Sequence, residues 1–272
     1  MLTCAITGSK GVLGSKLKKK IPLKFYEFHG NILNKKKVNQ WIQKKDFDIL
    51  IHLAALVPTN LVNKNYKKAY EVNVIGTNNL INSLIKKENK PKWLFFSSTS
   101  HVYKPLDKFK KISEKSKLDP ASKYGKTKIL AEKLILKKLK KYPIKVCIGR
   151  IFSFTDKKQK EPFIIPTIKK KLKNSKKKIV FKNINHFRDF LSTDDIISAI
   201  YILMKTSKFG IYNIGSGKKF DLRKIVKLFN KNNKDIVFRN TERPTYLISN
   251  NNKLLKTKWC PSKFKDNIKY FY

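Results

Sequence analysis

Carboxylates are scarce in this chain. Asp and Glu number 18 against 63 Lys and Arg, which sets a formal net charge of +45 over 272 residues. Charge of that size by itself points to nucleic acid or an acidic membrane surface. Arginine is scarce too, however, and the lysines are spread over nearly every helix and loop instead of forming one block. Arginine's planar fork suits bidentate reading of phosphates and bases, so a dispersed lysine excess reads as compositional drift, and nucleic acid is not expected as a partner. Cysteine is nearly absent: Cys4, Cys147 and Cys260 stand far apart with no Cys-x-x-Cys pair. This argues against a disulfide framework and a bound metal, and it fits a reducing cytoplasm. Long apolar runs are missing as well. Nothing approaches the ~18–20 residues of a membrane span, and no charged-then-apolar leader precedes the first strand, so a soluble cytoplasmic protein is expected.

What is present is 41% hydrophobic residues, in a chain long enough for one large domain with a smaller annex. The apolar runs come in an ordered series. Residues 2–7 read as a buried strand bounded by Gly8. Gly8-Ser9-Lys10-Gly11-Val12-Leu13-Gly14 follows, then Leu17 and Ile21 on a helical period. Strand, glycine turn and helix in that order form a phosphate cradle. Gly8 permits the tight turn, Gly11 lets backbone approach a pyrophosphate, and Gly14 lets the helix pack close to the strand. The spacing is Gly-x-x-Gly-x-x-Gly, not the Gly-x-Gly-x-x-Gly of most dinucleotide dehydrogenases.

Residues 24–32 form a strand-like run ending in a turn. Glu27 is the acid available at the distance of about 20 residues where dinucleotide folds hold the adenosine ribose, with an exposed strand residue as the alternative. Val38, Trp41 and Ile42 mark a short amphipathic helix. Residues 48–55 are an almost uninterrupted apolar strand of the kind buried in parallel sheets, with His52 as a hydrogen-bonded core residue and small Ala54 and Ala55 leaving room for a flat ligand. Residues 69–85 carry helical spacing, and 93–96 make the next buried strand, running into Ser97, Ser98, Thr99 and Ser100. Hydroxyls at the carboxyl end of a central strand stand where ligands bind in an open α/β sheet. Further on, Asp194 and Asp195 read as the cap of a buried helix.

Tyr124 and Lys128 stand at i and i+4 of a predicted helix, so their Cβ atoms lie about 5–6 Å apart on one face. An ammonium beside a phenol stabilises phenolate and lowers its pKa from the usual value near ~10, which makes the pair a proton donor and acceptor. A solvated helix face is the plain alternative for a bare Tyr-x-x-x-Lys.

In order along the chain these residues resemble the extended short-chain dehydrogenases/reductases, and within them the NAD-dependent epimerase/dehydratase family. The resemblance is carried by Gly8-x-x-Gly11-x-x-Gly14, His52-Leu53-Ala54-Ala55, Asn73-Val74-x-Gly76-Thr77, Ser97-Ser98-Thr99 ahead of Val102-Tyr103, and Tyr124-x-x-x-Lys128. It continues through Arg150-Ile151-Phe152, Arg188-Asp189-Phe190, Tyr212-Asn213-Ile214-Gly215-Ser216-Gly217 and Arg243-Pro244, so it covers essentially the whole chain.

The resemblance implies an α/β fold, a Rossmann-type doubly wound parallel sheet with a small C-terminal substrate-binding lobe. The sheet domain is expected from residues 1–152 with about 186–212, and the lobe from 153–185 and 213–272. It implies NAD or NADP as cofactor, NAD being preferred of the two, held by Gly8, Gly11, Val12, Leu13, Gly14, Asn31, Ile32, Leu53, Ala54, Ala55, Asn73 and Ser97, together with Tyr124 and Lys128. Tyr124 is then the acid/base on a sugar hydroxyl or ketone. Lys128 holds the nicotinamide ribose and lowers the tyrosine pKa, and Thr99 bonds the same substrate oxygen. The implied substrate is a nucleotide sugar, met by Thr99, Ser153, Arg188 and Arg243, with the two arginines on its diphosphate. Two surface arginines are the alternative for that last pair. A homodimer through the helix of Tyr124 is also implied.

The departures are informative. The span between the first helix and residue 48 is too short for the usual two strands with a helix between them, so one element is missing. Asn31 replaces the acid of the family's Gly-Asp-Ile near the adenine, Ser153 stands where epimerases often carry an asparagine, and Thr245-Tyr246 replaces the usual Gly-Asp after Arg243-Pro244. Dehydratases of the family carry acids right after the catalytic Thr. Ser100 and His101 stand there instead, which argues against elimination in the usual way, although His101 is able to move a proton. The expected activity is therefore epimerase/dehydratase chemistry, with reduction of a nucleotide-linked 4-keto sugar by NADPH as the rival. A nucleic-acid-binding protein on the same scaffold and a redox-sensing dinucleotide binder are rivals of another class; an intact Thr99, Tyr124 and Lys128 argues against the first.

Overall fold

The computed structural model describes residues 1–57, 59–174 and 178–262. β1 (Thr3–Thr7) leads through the glycine turn into α1 (Val12–Lys20), β2 (Lys24–Glu27), α2 (Lys35–Lys44) and β3 (Ile49–His52). α3 (Thr59–Lys64), α4 (Tyr66–Tyr70), a π-turn at Glu71–Ile75 and α5 (Gly76–Lys86) precede β4 (Trp93–Thr99), which runs into a 3-10 turn at Ser100–Val102. After α6 (Lys123–Leu139) and β5 (Lys145–Ile151) come β6 (Ser153–Thr155), α7 (Ile164–Asn174), β7 (Lys178–Lys182), β8 (Phe187–Arg188) and β9 (Phe190–Ser192). α8 (Thr193–Lys205), β10 (Gly210–Ile214), β11 (Phe220–Asp221), α9 (Leu222–Phe229), β12 (Asp235–Arg239), β13 (Tyr246–Leu247) and α10 (Asn252–Leu255) follow.

Six strands form one sheet in the order β10-β5-β4-β3-β1-β2, with every neighbouring pair parallel. Successive strand residues point to opposite faces, so a run apolar at every position needs cover on both sides. Cys4, Ile6, Ile51 and Phe95 pack toward Leu17 of α1 and Ile196 and Ile200 of α8. Their neighbours Ala5, Leu50, Leu94 and Phe96 pack toward Val38 of α2, Leu80 of α5 and Ile135 of α6. β1 has β2 on one side and β3 on the other, and the order reverses there. The crevice at that switch point opens at the carboxyl ends of β1 and β3, which is where a doubly wound sheet binds ligands. Between α1 and β3 the chain has one strand and one helix, as the short spacing predicts.

Two local expectations are corrected. The strand expected over 48–55 ends at His52, because Leu53 makes the last main-chain bond to Thr7 and the next amide, Ala54, bonds the Thr7 hydroxyl at 3.3 Å instead. The helix expected over 69–85 is interrupted by the π-turn, a device frequent at functional sites. His52 is core, as expected. It is 1% exposed between the hydroxyls of Thr7 (2.6 Å) and Thr77 (2.9 Å), and burial holds its pKa down to about 3.

The smaller lobe has a core of its own, built from Ile165, Ile168 and Leu172 of α7, Ile179 and Phe181 of β7, and Ile225, Val226 and Phe229 of α9. Its second boundary differs from the expected 213–272. Asn213 and Ile214 complete β10 in the large sheet, and Leu254 and Trp259 pack into the cluster beneath that sheet. Trp259 draws the chain back: its indole is 5% exposed and donates to the Asp195 carbonyl (3.2 Å) and the Ser198 hydroxyl (2.9 Å). Residues 263–272 of the expected span lie outside the described residues. No helix among the described residues is long and apolar enough to cross a membrane.

Candidate active site

A cleft of about 1240 Å³ crosses the carboxyl ends of the strands and continues into the lobe. Its floor at β1 is the glycine turn. Gly8 sits at φ +74, against the main chain of Leu53 and Ala54, and Gly14 packs on the Gly8–Ser9 backbone so closely that a Cβ at either position would overlap main chain. A Cβ at Gly11 would meet only the Gly8 carbonyl, at 3.3 Å, and otherwise project into the cleft. Gly11 caps α1 without a side-chain bond, so the first-turn N–H groups of α1 are left for a ligand. The turn therefore fits the pyrophosphate of a dinucleotide, with Val12 and Leu13 on the same wall. Asn31, Ile32, Leu53, Ala54, Ala55 and Ser97 line the cleft as well.

Asn73 does not. It is 1% exposed, accepts from the Leu56 amide (2.7 Å), and donates to the Leu56 carbonyl and the Thr127 hydroxyl, both at 3.0 Å. The π-turn that carries it pins the segment after Ala55 to α6, so Asn73 shapes the wall from behind. Glu27 is also outside the wall. Lys18 of α1 donates to it at 2.7 Å, Ser9 bonds it too, and these bonds hold its carboxyl below the usual range.

At β4 the cleft floor is Thr99. α6 begins immediately beside it, capped by the Ser122 hydroxyl, which accepts from the Gly125 amide at 3.1 Å. Gly125 lies so tightly on the His101 carbonyl that a Cβ there would overlap it. That approach sets the Tyr124 phenol beside Thr99, whose hydroxyl accepts from the His101 amide at 3.2 Å. Lys128 follows one turn on, 2% exposed, with Nζ 4.1 Å from the centroid of the Phe96 ring. The expected lowering of the phenol pKa is overturned. Burial raises it, against Thr99, while burial lowers Lys128 to about 7, against Glu132. Both groups are pushed toward their neutral forms because the site is nearly dry.

Behind them lies a network that the sequence reading missed. Glu132, one turn beyond Lys128, is 2% exposed and binds Arg150 through Nε (3.1 Å) and Nη2 (2.7 Å), with Ser98 donating to the same carboxylate. Arg150 also donates to the Tyr103 hydroxyl at 2.8 Å, which donates in turn to Asn213 at 2.8 Å. The signal was available: Glu132 is an acid on the buried stripe of a lysine-rich helix, and Arg150 is a cation inside the apolar run of β5.

The lobe end is lined by Ser153, Gln159, His186 and Arg188, with His101 facing them from β4's end. Arg188 donates to the carbonyls of Phe187 (2.8 Å) and Thr245 (3.0 Å), and burial lowers its pKa to about 10. Arg243, expected beside it, is exposed and outside the wall; in that coil it is Thr245 that turns inward, its amide bonding His186 at 3.2 Å. The loop after β6 is tied by Asp156, which accepts from the Thr193 hydroxyl (2.5 Å) and from Lys16 of α1 (3.2 Å). Among its described lining residues the cleft has no Asp or Glu, while Lys10, Lys128, Lys182 and Arg188 are present.

Comparison with known proteins agrees with this layout. The family described as GDP-mannose 4,6 dehydratase matches residues 6–265. A dTDP-D-glucose 4,6-dehydratase of Dictyostelium discoideum is 32% identical over 209 residues, 73% of this chain and 47% of that protein. A UDP-glucose 4-epimerase of Lactobacillus helveticus is 29% identical over 215 residues, 71% of this chain and 63% of that one. A GDP-6-deoxy-D-mannose reductase of Pseudomonas aeruginosa is 25% identical over 187 residues, 66% and 62%. The chain thus matches about half to under two thirds of the length of these relatives. Among solved structures, RMD from Pseudomonas aeruginosa complexed with NADPH superposes with a TM-score of 0.89 at 20% identity, covering 100% of this chain and 97% of that one. DesIV, a dTDP-glucose 4,6-dehydratase from Streptomyces venezuelae with NAD and TYD bound, gives 0.86 at 17%, covering 99% and 96%. The fold is the same in both. With a family match that runs from β1 to the end of the described residues and a cleft built as its motifs require, the chain belongs to the NAD-dependent epimerase/dehydratase family of extended short-chain dehydrogenases/reductases, in the group described as GDP-mannose 4,6 dehydratase.

Proposed function

We propose that the chain is an NAD(P)-dependent enzyme acting at a carbon of a nucleotide-linked sugar, by epimerase/dehydratase chemistry with Tyr124 as acid/base. The observation that carries this is the Tyr124 phenol beside Thr99 at the cleft floor, with Lys128 on the next turn and the glycine cradle alongside. The nicotinamide dinucleotide, when bound, supplies the hydride acceptor and donor. Thr99 and Tyr124 converge on one substrate oxygen, Thr99 fixing its direction and Tyr124 giving or taking its proton. The raised phenol pKa keeps Tyr124 protonated at neutral pH, so it enters as donor to a ketone. Charging Lys128, which titrates near neutrality, lowers the phenol's hold on its proton for the reverse direction. Arg188 offers a planar guanidinium to the diphosphate, and Ser153 a hydroxyl to the sugar.

One observation favours reduction of a 4-keto sugar as the second reading: Ser100 and His101 follow Thr99, and the described wall carries no carboxylate to assist elimination. Denaturing the purified protein and identifying any released dinucleotide separates the two. Tightly held NAD supports the epimerase reading, and an enzyme that consumes added NADPH with a nucleotide-linked keto sugar supports the reductase. If a panel of nucleotide sugars shows no turnover by mass spectrometry in either setting, the enzyme reading fails. The same proposal places the protein in a reducing cytoplasm, where Cys4, Cys147 and Cys260 stay free. It also makes a homodimer through α6, where Leu130 and Leu136 are exposed, which sedimentation tests.

A further inference from the structure

The dinucleotide cradle lies between two unlike ends. Thr99 and Tyr124 mark the reacting end, on the β4 side of β1. The adenosine end must therefore lie on the β2 side, where Ser9, Lys10, His29 and Asn31 line the cleft. We infer that this end selects a dinucleotide carrying a phosphate on the adenosine 2′-oxygen, an inference that rests on the dinucleotide reading proposed above.

A free ribose hydroxyl is recognised by an acceptor, and a carboxylate is the strongest acceptor available; the same carboxylate repels a phosphate placed there. Glu27, the acid at the end of β2, is not available for that task. One of its oxygens receives Lys18 at 2.7 Å, the other stands 3.8 Å from His29, Ser9 bonds the group as well, and it lies outside the cleft wall. Asn31 is likewise turned to donate. Its carbonyl oxygen accepts from the Leu33 amide at 3.0 Å, which leaves the NH₂ group. Lys10, between Gly8 and Gly11, is exposed on the cleft and has no ion pair among the described residues. Donors thus face the ribose position and the acid is tied behind it. A compact ammonium meeting a phosphate dianion is worth about ten- to a hundredfold in affinity, as charge-assisted bonds are.

The test is direct binding. The intact protein is titrated separately with NADPH and NADH, reading nicotinamide fluorescence at about 0.1 M salt so that surface lysines are partly screened. The expected result is NADPH binding tighter by about tenfold or more. Lys10→Met should remove most of that difference and Lys10→Arg should keep it. NADH binding as tightly as NADPH, or Lys10→Met weakening both dinucleotides in proportion, overturns the inference and leaves the dinucleotide site standing. Binding of neither removes the dinucleotide reading, and the inference with it.

Discussion

The two halves of the cleft are made of different material. The dinucleotide half is largely main chain: a glycine turn, the first amides of α1 and the backbone of residues 53–55, all fixed by the six-stranded sheet. The lobe half is largely side chain, with Arg188, Ser153, Gln159 and His186 projecting from short strands and loops. A backbone site is specified by which residues are small enough to let the chain pass. A side-chain site is specified by orientation, which depends on how the lobe packs. Arg188 and Arg243 make the point: the same residue type was expected in the same role, and one lies half-buried at the wall while the other is exposed outside it.

The largest effect that would sharpen this contrast is at the junction of the halves. Tyr124→Phe should lower kcat by roughly 10²–10⁴-fold with dinucleotide affinity nearly unchanged, as loss of a general acid does; retention of activity within tenfold breaks the assignment. Next comes the buried pair beneath it. Arg150→Met leaves Glu132 unpaired and should destabilise the fold by about 3–5 kcal/mol in urea titrations, whereas Glu132→Gln combined with Arg150→Met should recover much of that.

Gly125→Ala tests a purely spatial requirement. Pushing α6 off the His101 carbonyl by about 1 Å should cost on the order of 10²-fold in kcat. Gly11→Ala, whose methyl meets only the Gly8 carbonyl at 3.3 Å, should leave kcat at saturation alone and weaken the dinucleotide. Equal effects at the two glycines would erase the distinction between packing and ligand approach. In the lobe, Arg188→Lys should raise the substrate KM about tenfold and Arg243→Lys should change it by less than about twofold. Comparable effects would restore Arg243 to the site.

A further expected effect is in pH. Lys128 titrates near 7 in the folded chain and near its ordinary, higher value when unfolded, so between these values the unfolded state binds the extra proton. Its contribution to stability therefore rises with pH through that window, and the difference in unfolding free energy between wild type and Lys128→Met should shift accordingly. A difference that stays flat from pH 7 to pH 10 means that Lys128 is hydrated.

Much of the fold could be read from the sequence because buried parallel strands write themselves as continuous apolar runs, and residues 4–6, 49–51 and 93–96 are such runs. The cradle was legible for a related reason: glycines at fixed spacing after a strand constrain backbone directly. Glu132 was not singled out, since an acid on a helix is ordinarily solvated and only the position of Arg150 on the neighbouring strand makes it core. Asn73 had the right place in the motif and another task, because the π-turn rotates it away from the cleft and onto Leu56. The return of Trp259 beneath the sheet was hidden by the lobe's lack of a contiguous sequence.

The tie at Asp156 has a consequence for the order in which the molecule assembles. Its lysine partner is 140 residues away in the chain and its threonine partner 37. Contacts between such distant segments carry the greatest loop-closure cost and are made late, once the sheet between them has brought their ends together. Lobe amides should exchange with solvent before those of β3 and β4.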